Sequence, residues 1–347
     1  MIGIIANPSS GKDIRRLVAQ ATVFDNMEKV NIVQRILAVI YTAGLKDVYM
    51  MPDAFHISHK ASYNIKRGMK IDFDIKEIGI KFGNDQNDST QAAAMLSDMG
   101  ASCIITLGGD GTNRAVAKAC KDVPLIPVST GTNNVFPLML EGTMAGMAAV
   151  IAERDEMKKF LKITKRKKLN IYKNGELTDI ALIDAAITDD MFVGARALYD
   201  PESLSELIVT VAKPDCLGMS AIAGSVYPVE ESESIGLYLE MGQDGELETW
   251  VPMAPGVMKK IRFKQFKKIV LGERIKVKAM EGMVALDGER EVPFNKNDTV
   301  EIELSYEGPN VIDIHKSLKA ASEGGFFIEK GGHGLAKSSC YSFYSEN

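Results

Sequence analysis

The residues with the clearest chemical potential read Gly-Gly-Asp-Gly-Thr at positions 108–112, between an apolar run and an alanine-rich helical segment. Glycines let a backbone approach a ligand closely. Free N–H groups at the start of the following helix favour an anion such as phosphate. Asp110 adds a carboxylate, which can hold magnesium or accept a proton from an attacking hydroxyl. A tight turn capped by Asp110 explains the same residues without a ligand, so the sequence leaves both interpretations open.

Two further loops have a composition that suits phosphate. Residues 7–11 read Asn-Pro-Ser-Ser-Gly after the first apolar run, and residues 130–134 read Thr-Gly-Thr-Asn-Asn after a later one. If these runs are parallel strands, the loops at their carboxyl ends share one edge of the sheet, where ligands bind. We therefore expect the three loops to converge on one crevice that holds a polyphosphate. The 108–112 loop matches neither the Walker pattern nor GxGxxG.

The first half of the chain alternates short apolar runs with helical patterns. Such alternation predicts βαβ units and a parallel sheet covered by helices on both faces. The prediction is a Rossmann-like α/β domain over residues 1–165. The lysine-rich stretch 158–168 is expected to be a solvated face or a domain junction, with a run that attracts phosphate as the alternative. The expected strands are 1–6, 48–51, 78–82, 102–107 and 125–128, and the expected helices are 28–42, 92–99, 112–120 and 143–152.

Strand patterns dominate the second half of the chain. Asn174-Gly175 is a strong hairpin signal between two of these runs. The pattern predicts an antiparallel β-rich domain over residues 166–310. Residues 311–330 are expected to return to the first domain, and residues 331–347 to form a polar tail. The expected strands are 169–173, 176–183, 235–241 and 246–251 (either side of a turn at 242–245), 274–280, 283–286 and 299–304.

The composition excludes several classes of protein. The chain of 347 residues carries 41 Lys+Arg and 46 Asp+Glu, and 46% of it is hydrophobic, which excludes global disorder and gives no nucleic-acid footprint. No run of about 18 uncharged apolar residues occurs, so we expect no membrane partner. Four widely spaced cysteines and no recognisable secretory signal predict a reduced, cytoplasmic protein without a zinc site.

Three short motifs together resemble one superfamily. Asn7-Pro8, the 108–112 motif and residues 131–134 are similar to the NAD kinases, diacylglycerol kinases and sphingosine kinases. Those kinases also place an α/β domain before a β-rich one. A longer match, from residue 7 to residue 137, resembles the acetoin-catabolism X proteins, an NAD-kinase-like family often encoded beside acetoin dehydrogenase. That match includes NPSSGKDIRRLVAQATVFDNMEKVNIVQRIL, MMPD, GGDGTNRAVA and TGTNNVFP.

The resemblance implies a nucleotide site in the first domain. ATP and Mg²⁺ are the expected cofactors, and small-molecule nucleotides the expected partners. Asp110 would be the catalytic aspartate of the motif and the metal ligand. The other positions that match nucleotide-binding residues are Asn7, Gly108, Gly109, Gly111, Thr112, Asn113, Thr130, Gly131, Thr132 and Asn133.

The second domain contributes one further catalytic candidate by resemblance. Residues 286–289, Leu-Asp-Gly-Glu, resemble the Asp-Gly-Glu of the lipid kinases and, less closely, the Asp-Gly-Gln of the NAD kinases. Glu289 would fall where the lipid kinases place a general base. A plain hairpin turn explains Asp287 and Gly288 equally well.

Asp184 is the candidate for binding the acceptor. It lies in an apolar strand expected over residues 180–187, where an unpaired carboxylate is costly to bury. NAD kinases carry an Asn-Glu pair in the comparable stretch. Asp184 can replace the glutamate, but Ile183 has no amide to replace the asparagine. The alternative is a strand residue that faces solvent.

These observations predict a kinase that uses ATP or polyphosphate to phosphorylate a hydroxyl of a small acceptor, with NAD as the leading acceptor and a link to acetoin catabolism. We also expect a homo-oligomer. One alternative is a lipid or small-polyol kinase, although no amphipathic basic helix is present to dock on a membrane. The other alternative is a nucleotide-binding regulator without turnover.

Overall fold

The computed structural model describes residues 1–11, 24–69, 75–81, 83, 85–131, 133–189 and 201–328. An α/β region with a parallel sheet comes first, and a region of antiparallel sheets follows, which confirms the predicted fold class. In the described ranges, none of the helices has the length and apolar character needed to cross a membrane.

The secondary structure begins with alternating strands and helices and continues mostly as strands. The first part comprises β1 (Ile2–Ala6), α1 (Asn26–Thr42), β2 (Val48–Met50), α2 (Ile57–Met69), β3 (Lys76–Glu77), α3 (Gln86–Asp98), β4 (Cys103–Gly108), α4 (Asp110–Ala117), β5 (Leu125–Ser129), α5 (Gly142–Glu153) and β6 (Ile163–Lys165). The second part comprises β7 (Lys168–Lys173), β8 (Glu176–Ala181), β9 (Asp184–Thr188), β10 (Leu204–Val209), α6 (Met219–Val226), β11 (Ile235–Met241), β12 (Leu247–Ala254), β13 (Val257–Val270), β14 (Arg274–Lys276), β15 (Gly282–Leu286), β16 (Glu289–Phe294), β17 (Val300–Ser305), β18 (Asn310–Ile312) and α7 (Ile314–Glu323).

The parallel sheet has the strand order β3-β2-β1-β4-β5-β18-β6. Strand β1 pairs in parallel with β2 and β4, and β4 pairs in parallel with β5. Ile2 and Ile4 pack into the cluster formed with α1 and α5, whereas Ile5 packs into the cluster formed with α3. Burial on both faces explains the continuous apolar run of β1. Because β1, β4 and β5 are parallel neighbours, the loops that follow them lie at one edge of the sheet.

The end of the described chain returns to this first sheet. Strand β18 pairs in parallel with β5 through Val311 and Leu125, and antiparallel with β6. Helix α7 follows, and its Ala321 packs with Ile151 of α5 and with Met157. The domain boundaries at residues 165/166 and 310/311 stay a prediction.

The second region is built from two antiparallel sheets. A seven-stranded sheet has the order β12-β13-β11-β10-β9-β15-β16, and a four-stranded sheet has the order β14-β17-β7-β8. Their facing sides share one apolar cluster, in which Leu169 and Ile302 of the smaller sheet meet Ile208 and Val284 of the larger. The turn between β7 and β8 has positive φ at Asn174 (55°) and Gly175 (84°), as a tight type I′ hairpin requires.

Two of the expected strand arrangements were wrong. Strands β11 and β12 do not form a hairpin, because the long strand β13 lies between them. Its outward face carries exposed Lys260 and Arg262, which hide the alternation with buried Ile261 and Phe263. In the first sheet, the third strand is Lys76–Glu77, and residues 78–81 of the strand expected over 78–82 are not in a strand, whereas Phe82 lies outside the described residues.

The apolar run 180–187 is also not one strand. Strand β8 ends at Ala181 and β9 begins at Asp184, with Leu182 and Ile183 between them. The N–H groups at this break bond to a side chain instead of a neighbouring strand, as described below. The break therefore positions part of the candidate site.

The lysine-rich stretch 158–168 is not a uniformly solvated face. Arg166 and Lys167 are only 9% and 2% exposed, where the chain passes from β6 to β7. The Nζ of Lys167 donates to the backbone oxygens of Glu230 (3.0 Å) and Ile235 (2.7 Å). Burial lowers the pKa of Lys167 to about 8.

The lowered pKa of Lys167 predicts a dependence of stability on pH. Between about pH 8 and pH 10 the unfolded chain keeps a proton on Lys167 that the folded chain loses, so the free energy of unfolding contributed by Lys167 rises with pH. Urea unfolding of the parent and of Lys167→Met at pH 7.5 and 9.5 measures this. The parent should gain stability relative to the variant at the higher pH. A Lys165→Met variant is the control, and identical pH slopes for parent and Lys167→Met would contradict the prediction.

Candidate functional site

A buried lysine forms hydrogen bonds to the backbone of the first loop of the site. Lys29 of α1 is fully buried, and its Nζ donates to the backbone oxygens of Asn7 (2.8 Å) and Ser10 (2.7 Å) and to Oδ1 of Asn26 (2.9 Å). An ammonium group saturated by three acceptors fixes the shape of the loop. The sequence analysis missed Lys29. The only available signal was a lysine beside Val30 at the start of an apolar helix face.

The three loops lie against one another. Asn7 donates from Nδ2 to Oγ1 of Thr112 (2.9 Å), which joins the first loop to the 108–112 motif. Thr130 donates from Oγ1 to Oγ of Ser10 (2.9 Å), which joins the third loop to the first. The structure therefore brings the predicted loops together at the carboxyl edge of the sheet. Thr132, another predicted nucleotide-binding residue, lies outside the described residues.

Close packing explains two glycines of the motif. A Cβ on Gly108 would lie 2.4 Å from the Cβ of Thr112, and a Cβ on Gly109 would lie 2.7 Å from Oδ1 of Asn134. A larger residue at 108 would force the Thr112 side chain to shift, and one at 109 would displace the Asn134 amide. Helix α4 starts directly after Gly109, a residue with no side chain that could cap the helix. The N–H groups at such a helix start form a favourable site for phosphate.

Asn113, whose nucleotide contact stays a prediction, is buried behind the loop. Its side chain is fully buried, accepts a hydrogen bond at Oδ1 from Oγ1 of Thr106 (2.6 Å), and donates to the backbone oxygen of Gly109 (2.9 Å). These bonds fasten the first turn of α4 to β4. Because the amide is already used inside the protein, Asn113 supports the loop from behind.

The Asp110 carboxylate is anchored by the backbone after the third loop. Its Oδ1 accepts hydrogen bonds from the N–H groups of Phe136 (2.8 Å) and Val135 (3.1 Å), and its Oδ2 also contacts the Val135 nitrogen at 3.1 Å. Two backbone donors fix the orientation of this side chain. Asp110 thus links the motif to residues 135–136. A side chain that only capped the 108–112 turn would not make these longer-range hydrogen bonds.

The 287–288 turn does more than connect two strands. Asp287 and Gly288 both have positive φ, 50° and 79°, so the backbone of these two residues forms the hairpin turn that the sequence allowed. The Asp287 carboxylate is fully buried, and its Oδ1 accepts hydrogen bonds from the N–H groups of Leu182 (3.0 Å), Ile183 (2.8 Å) and Asp184 (3.2 Å). These are the N–H groups at the break between β8 and β9. Asp287 therefore shapes the segment that precedes the acceptor candidate.

Arg114 is the centre of the electrostatic arrangement. It is fully buried on α4, in the first region, whereas the carboxylates around it all belong to the second. Burial disfavours its charge, but the nearby carboxylates outweigh burial and raise the pKa of Arg114. Burial raises the pKa of Asp287, and the Arg114 charge opposes that rise. The nitrogen–oxygen distances from Arg114 are 2.7 Å to Glu291, 3.5 Å to Asp179, 3.7 Å to Asp287 and 3.9 Å to Glu289.

Glu289 reaches from the second region to the glycine motif of the first. A Cβ on Gly111 would lie 3.1 Å from its Oε1, and the Nε2 of Gln86 donates to its Oε2. The side chain is 34% exposed, so it is open to a ligand. The structure thus places both predicted catalytic carboxylates beside Gly111. Asp110 precedes Gly111 in the chain, and Glu289 lies close to it in space. A partly exposed glutamate in this position can accept a proton from a hydroxyl.

Asp184 opens β9 and is 6% exposed, so the interpretation as a solvent-facing residue was wrong. Its backbone oxygen accepts a hydrogen bond from the N–H of Asp287 (2.9 Å). The Asp184 N–H donates to the Asp287 carboxylate, and the Asp287 N–H donates to the Asp184 backbone oxygen. These two hydrogen bonds fix the position of Asp184. Its contact with an acceptor stays a prediction.

The side chains in the described ranges do not by themselves form a metal centre. No group of three or more His, Cys, Asp or Glu side chains that could hold a metal ion occurs among the residues with described positions. Asp110, the predicted ligand, has its oxygens engaged by backbone N–H groups. Mg²⁺ in phosphoryl-transfer sites is usually held by one or two carboxylates together with substrate phosphates. The donor set here does not fit a metal site preformed by the protein.

Comparison with known proteins defines the class of fold first. A model of the ATP-NAD kinase N-terminal domain matches residues 2–155, and a model of the acetoin catabolism protein X C-terminal domain matches residues 167–307. The crystal structure of yeast NADH kinase complexed with NADH aligns over 95% of this chain and 89% of its own, with a TM-score of 0.51 and 10% identity. The fold is that of the NAD kinases.

A sequence relative then defines the family. Acetoin catabolism protein X of Cupriavidus necator is 35% identical over 330 residues, which cover 92% of this chain and 92% of that protein. The chain therefore belongs to the acetoin catabolism protein X family. The resemblance drawn from the sequence motifs is confirmed.

Proposed function

We propose that the protein is a phosphotransferase that moves a phosphoryl group from ATP, or from polyphosphate, to a hydroxyl of a small acceptor in acetoin catabolism. The observation that carries the proposal is the position of Glu289 against Gly111, beside Asp110, where its Oε1 lies 3.1 Å from the place that a Cβ on Gly111 would take. A phosphate-favouring loop and a partly exposed carboxylate from the other region then face one position. That is the arrangement a hydroxyl-to-phosphate transfer needs.

Each part of the site has its own proposed role. The phosphates of the donor are bound by the loops after β1, β4 and β5 and by the N–H groups at the start of α4. Phosphoryl transfer depends mainly on such positioning and on electrostatic stabilisation. Glu289 accepts the proton of the acceptor hydroxyl. Asp110, fixed by two backbone N–H groups, orients the acceptor and keeps the 135–136 segment in place.

NAD is the first candidate acceptor, because the fold is shared with NAD kinases and a solved relative of this fold was crystallised with NADH. Ile183 weighs against it, since this buried side chain has no amide to bind a dinucleotide. A small polyol is the second candidate, favoured by the Asp287-Gly288-Glu289 sequence.

The direct test is transfer of labelled phosphate from ATP or polyphosphate to NAD, NADH, glycerol and erythritol, with each product separated and identified. One labelled product with catalytic turnover supports the proposal and names the acceptor class. Binding of ATP without turnover on any acceptor or with water would favour the nucleotide-binding regulator. A thermal-shift series with the same compounds distinguishes that regulator from a protein that binds none of them.

Asp184→Ala is expected to raise the Michaelis constant for the acceptor at least tenfold while changing that for ATP less than threefold, since Asp184 binds the acceptor in the proposed reaction and the phosphate loops are left unchanged. Steady-state kinetics with each substrate varied in turn measure both constants. Glu176→Ala, at the exposed far end of β8, is the control. Equal changes in the two constants would assign Asp184 a structural role only.

A further inference from the structure

A small pocket lies beside the candidate site and is not used by the proposed reaction. Its free volume is about 10 Å³, room for about one water molecule. Two of its walls are formed by the segments 135–136 and 182–183, whose backbone N–H groups hold Asp110 and Asp287. The lining residues are Phe136, Arg166, Lys167, Leu182, Ile183, Thr210, Val211 and Glu231.

Most of this lining is apolar or already engaged. The Thr210 hydroxyl donates to the backbone oxygen of Leu182 (2.6 Å), and the Lys167 ammonium donates to two backbone oxygens. Phe136 and Ile183 are buried apolar side chains. The remaining polar chemistry of the pocket comes from Arg166 and Glu231.

Arg166 is a buried cation with an unused hydrogen-bond donor. The residue is 9% exposed, and its guanidinium carbon lies 5.4 Å from the centre of the Phe136 ring. Its Nε is buried without a hydrogen-bond partner in the described part of the chain. Burial lowers the pKa of Arg166 to about 10, which leaves it charged at neutral pH. A charged group buried in this way is favoured by an anion beside it.

The structure already places one carboxylate next to this cation. Glu231, from the loop before β11, forms an ion pair with Nη1 of Arg166, and its other oxygen lies 2.9 Å from Nζ of Lys213. Its side chain is 29% exposed, so it can leave toward solvent. Arg166 and Lys213 therefore define a position for an oxyanion, and a tethered carboxylate fills it.

We propose that this pocket binds a small molecule with a carboxylate or phosphate group, which takes the place of Glu231 between Arg166 and Lys213. The body of the ligand lies against Phe136 and Ile183. The free space in the pocket holds only about one water molecule, so the ligand occupies mainly the space that the Glu231 side chain leaves, which suits a chain of a few carbon atoms and not a dinucleotide. Bidentate binding by Arg166 distinguishes such an oxyanion from a neutral molecule.

Titration calorimetry of the full chain tests this with four probes: inorganic phosphate, butyrate, and the neutral butyramide and 1-butanol. At least one anion is expected to bind with one-to-one stoichiometry, at least tenfold more tightly than either neutral probe. Binding of butyrate alone identifies carboxylates as the ligand class, and binding of phosphate alone identifies phosphates. Equal binding of butyrate and butyramide, or no binding of either anion, would overturn the proposal.

Variants assign the binding to this pocket and separate it from the phosphate loops. Arg166→Lys and Arg166→Met are expected to weaken binding of the anion at least tenfold, whereas Glu231→Gln should strengthen it at least threefold by removing the competing charge. Lys165→Met removes a neighbouring cation that pairs with Glu307 outside the pocket, and it should leave binding unchanged. An affinity that is unaltered in Arg166→Lys and Glu231→Gln, or that falls equally in Lys165→Met, would place the anion elsewhere.

Discussion

Glu289→Gln is expected to lower phosphoryl transfer by about 10²- to 10⁴-fold, the usual contribution of a general base. The amide keeps the size of the side chain and the contact with Gln86 and Gly111, but it cannot accept the hydroxyl proton. The Michaelis constant for ATP should change little, because the phosphate loops are untouched. Turnover measured with the acceptor identified by the labelling experiment provides the readout.

Glu291→Gln is the matched control for Glu289→Gln. Glu291 is on the same strand, two residues further on, and also pairs with Arg114, at 2.7 Å. Its substitution removes the same charge from the same cluster but should keep turnover within about threefold, since the proposed proton acceptor at position 289 is retained. If both variants lost activity equally, the charge of the cluster and not a proton acceptor at position 289 would be responsible.

Asp110→Asn provides a second comparison with Glu289→Gln. It should also remove most of the activity, but it should lower the free energy of unfolding by about 1 kcal/mol as well. An asparagine can accept N–H bonds at only one of its two terminal atoms, whereas the aspartate contacts the nitrogens of Val135 and Phe136 with both oxygens. The two carboxylates are thus distinguishable by stability even if their kinetic effects are similar.

Arg114→Met is expected to destabilise the protein by about 3–5 kcal/mol, because removing one partner of a buried ion pair leaves an uncompensated buried charge. The fully buried Asp287 would lose the cation at 3.7 Å, and Glu291 would lose its close partner. Equilibrium unfolding in urea measures the loss. The double variant Arg114→Met/Asp287→Asn should recover part of it, since it removes one of the stranded charges.

Lys118→Met is the control for Arg114→Met. Lys118 lies four residues, about one helical turn, further along and pairs with Asp179 at 2.7 Å, but its side chain is 32% exposed. Its removal should cost less than about 1 kcal/mol. Similar losses for the two variants would mean that Arg114 contributes through general charge balance and not as the buried centre of the cluster.

Much of the first sheet could be predicted because its signals are local. The strands β1, β4 and β5 are apolar runs that end in glycine- or serine-rich loops, and Asn174-Gly175 marks a hairpin by itself. The position of Glu289 near the glycine motif followed from the resemblance to lipid kinases. No local pattern could have supplied it, since 178 residues separate Glu289 from Gly111.

Arg114 and Lys29 show why the rest was not predictable. Each is a charged residue in a helix, and in sequence such residues are indistinguishable from solvated ones. Their burial is explained only by partners that the fold supplies, such as Asp287, 173 residues away from Arg114. Strand β13 was missed for a related reason, because its outward lysines and arginine resemble a loop or a charged helix face.

The place of β18 between β5 and β6 has a consequence for biosynthesis. During translation, β6 leaves the ribosome long before β18, whose residues 310–312 supply its partner strand. The Leu125 end of β5 also lacks its partner Val311 until then, whereas Val128 is bridged by the nearby Leu138. Domains usually fold as units during synthesis, and unpaired strand edges on intermediates promote aggregation. The nascent first region thus carries an incomplete sheet edge until the whole second region has been made, which makes this edge the natural contact for a chaperone.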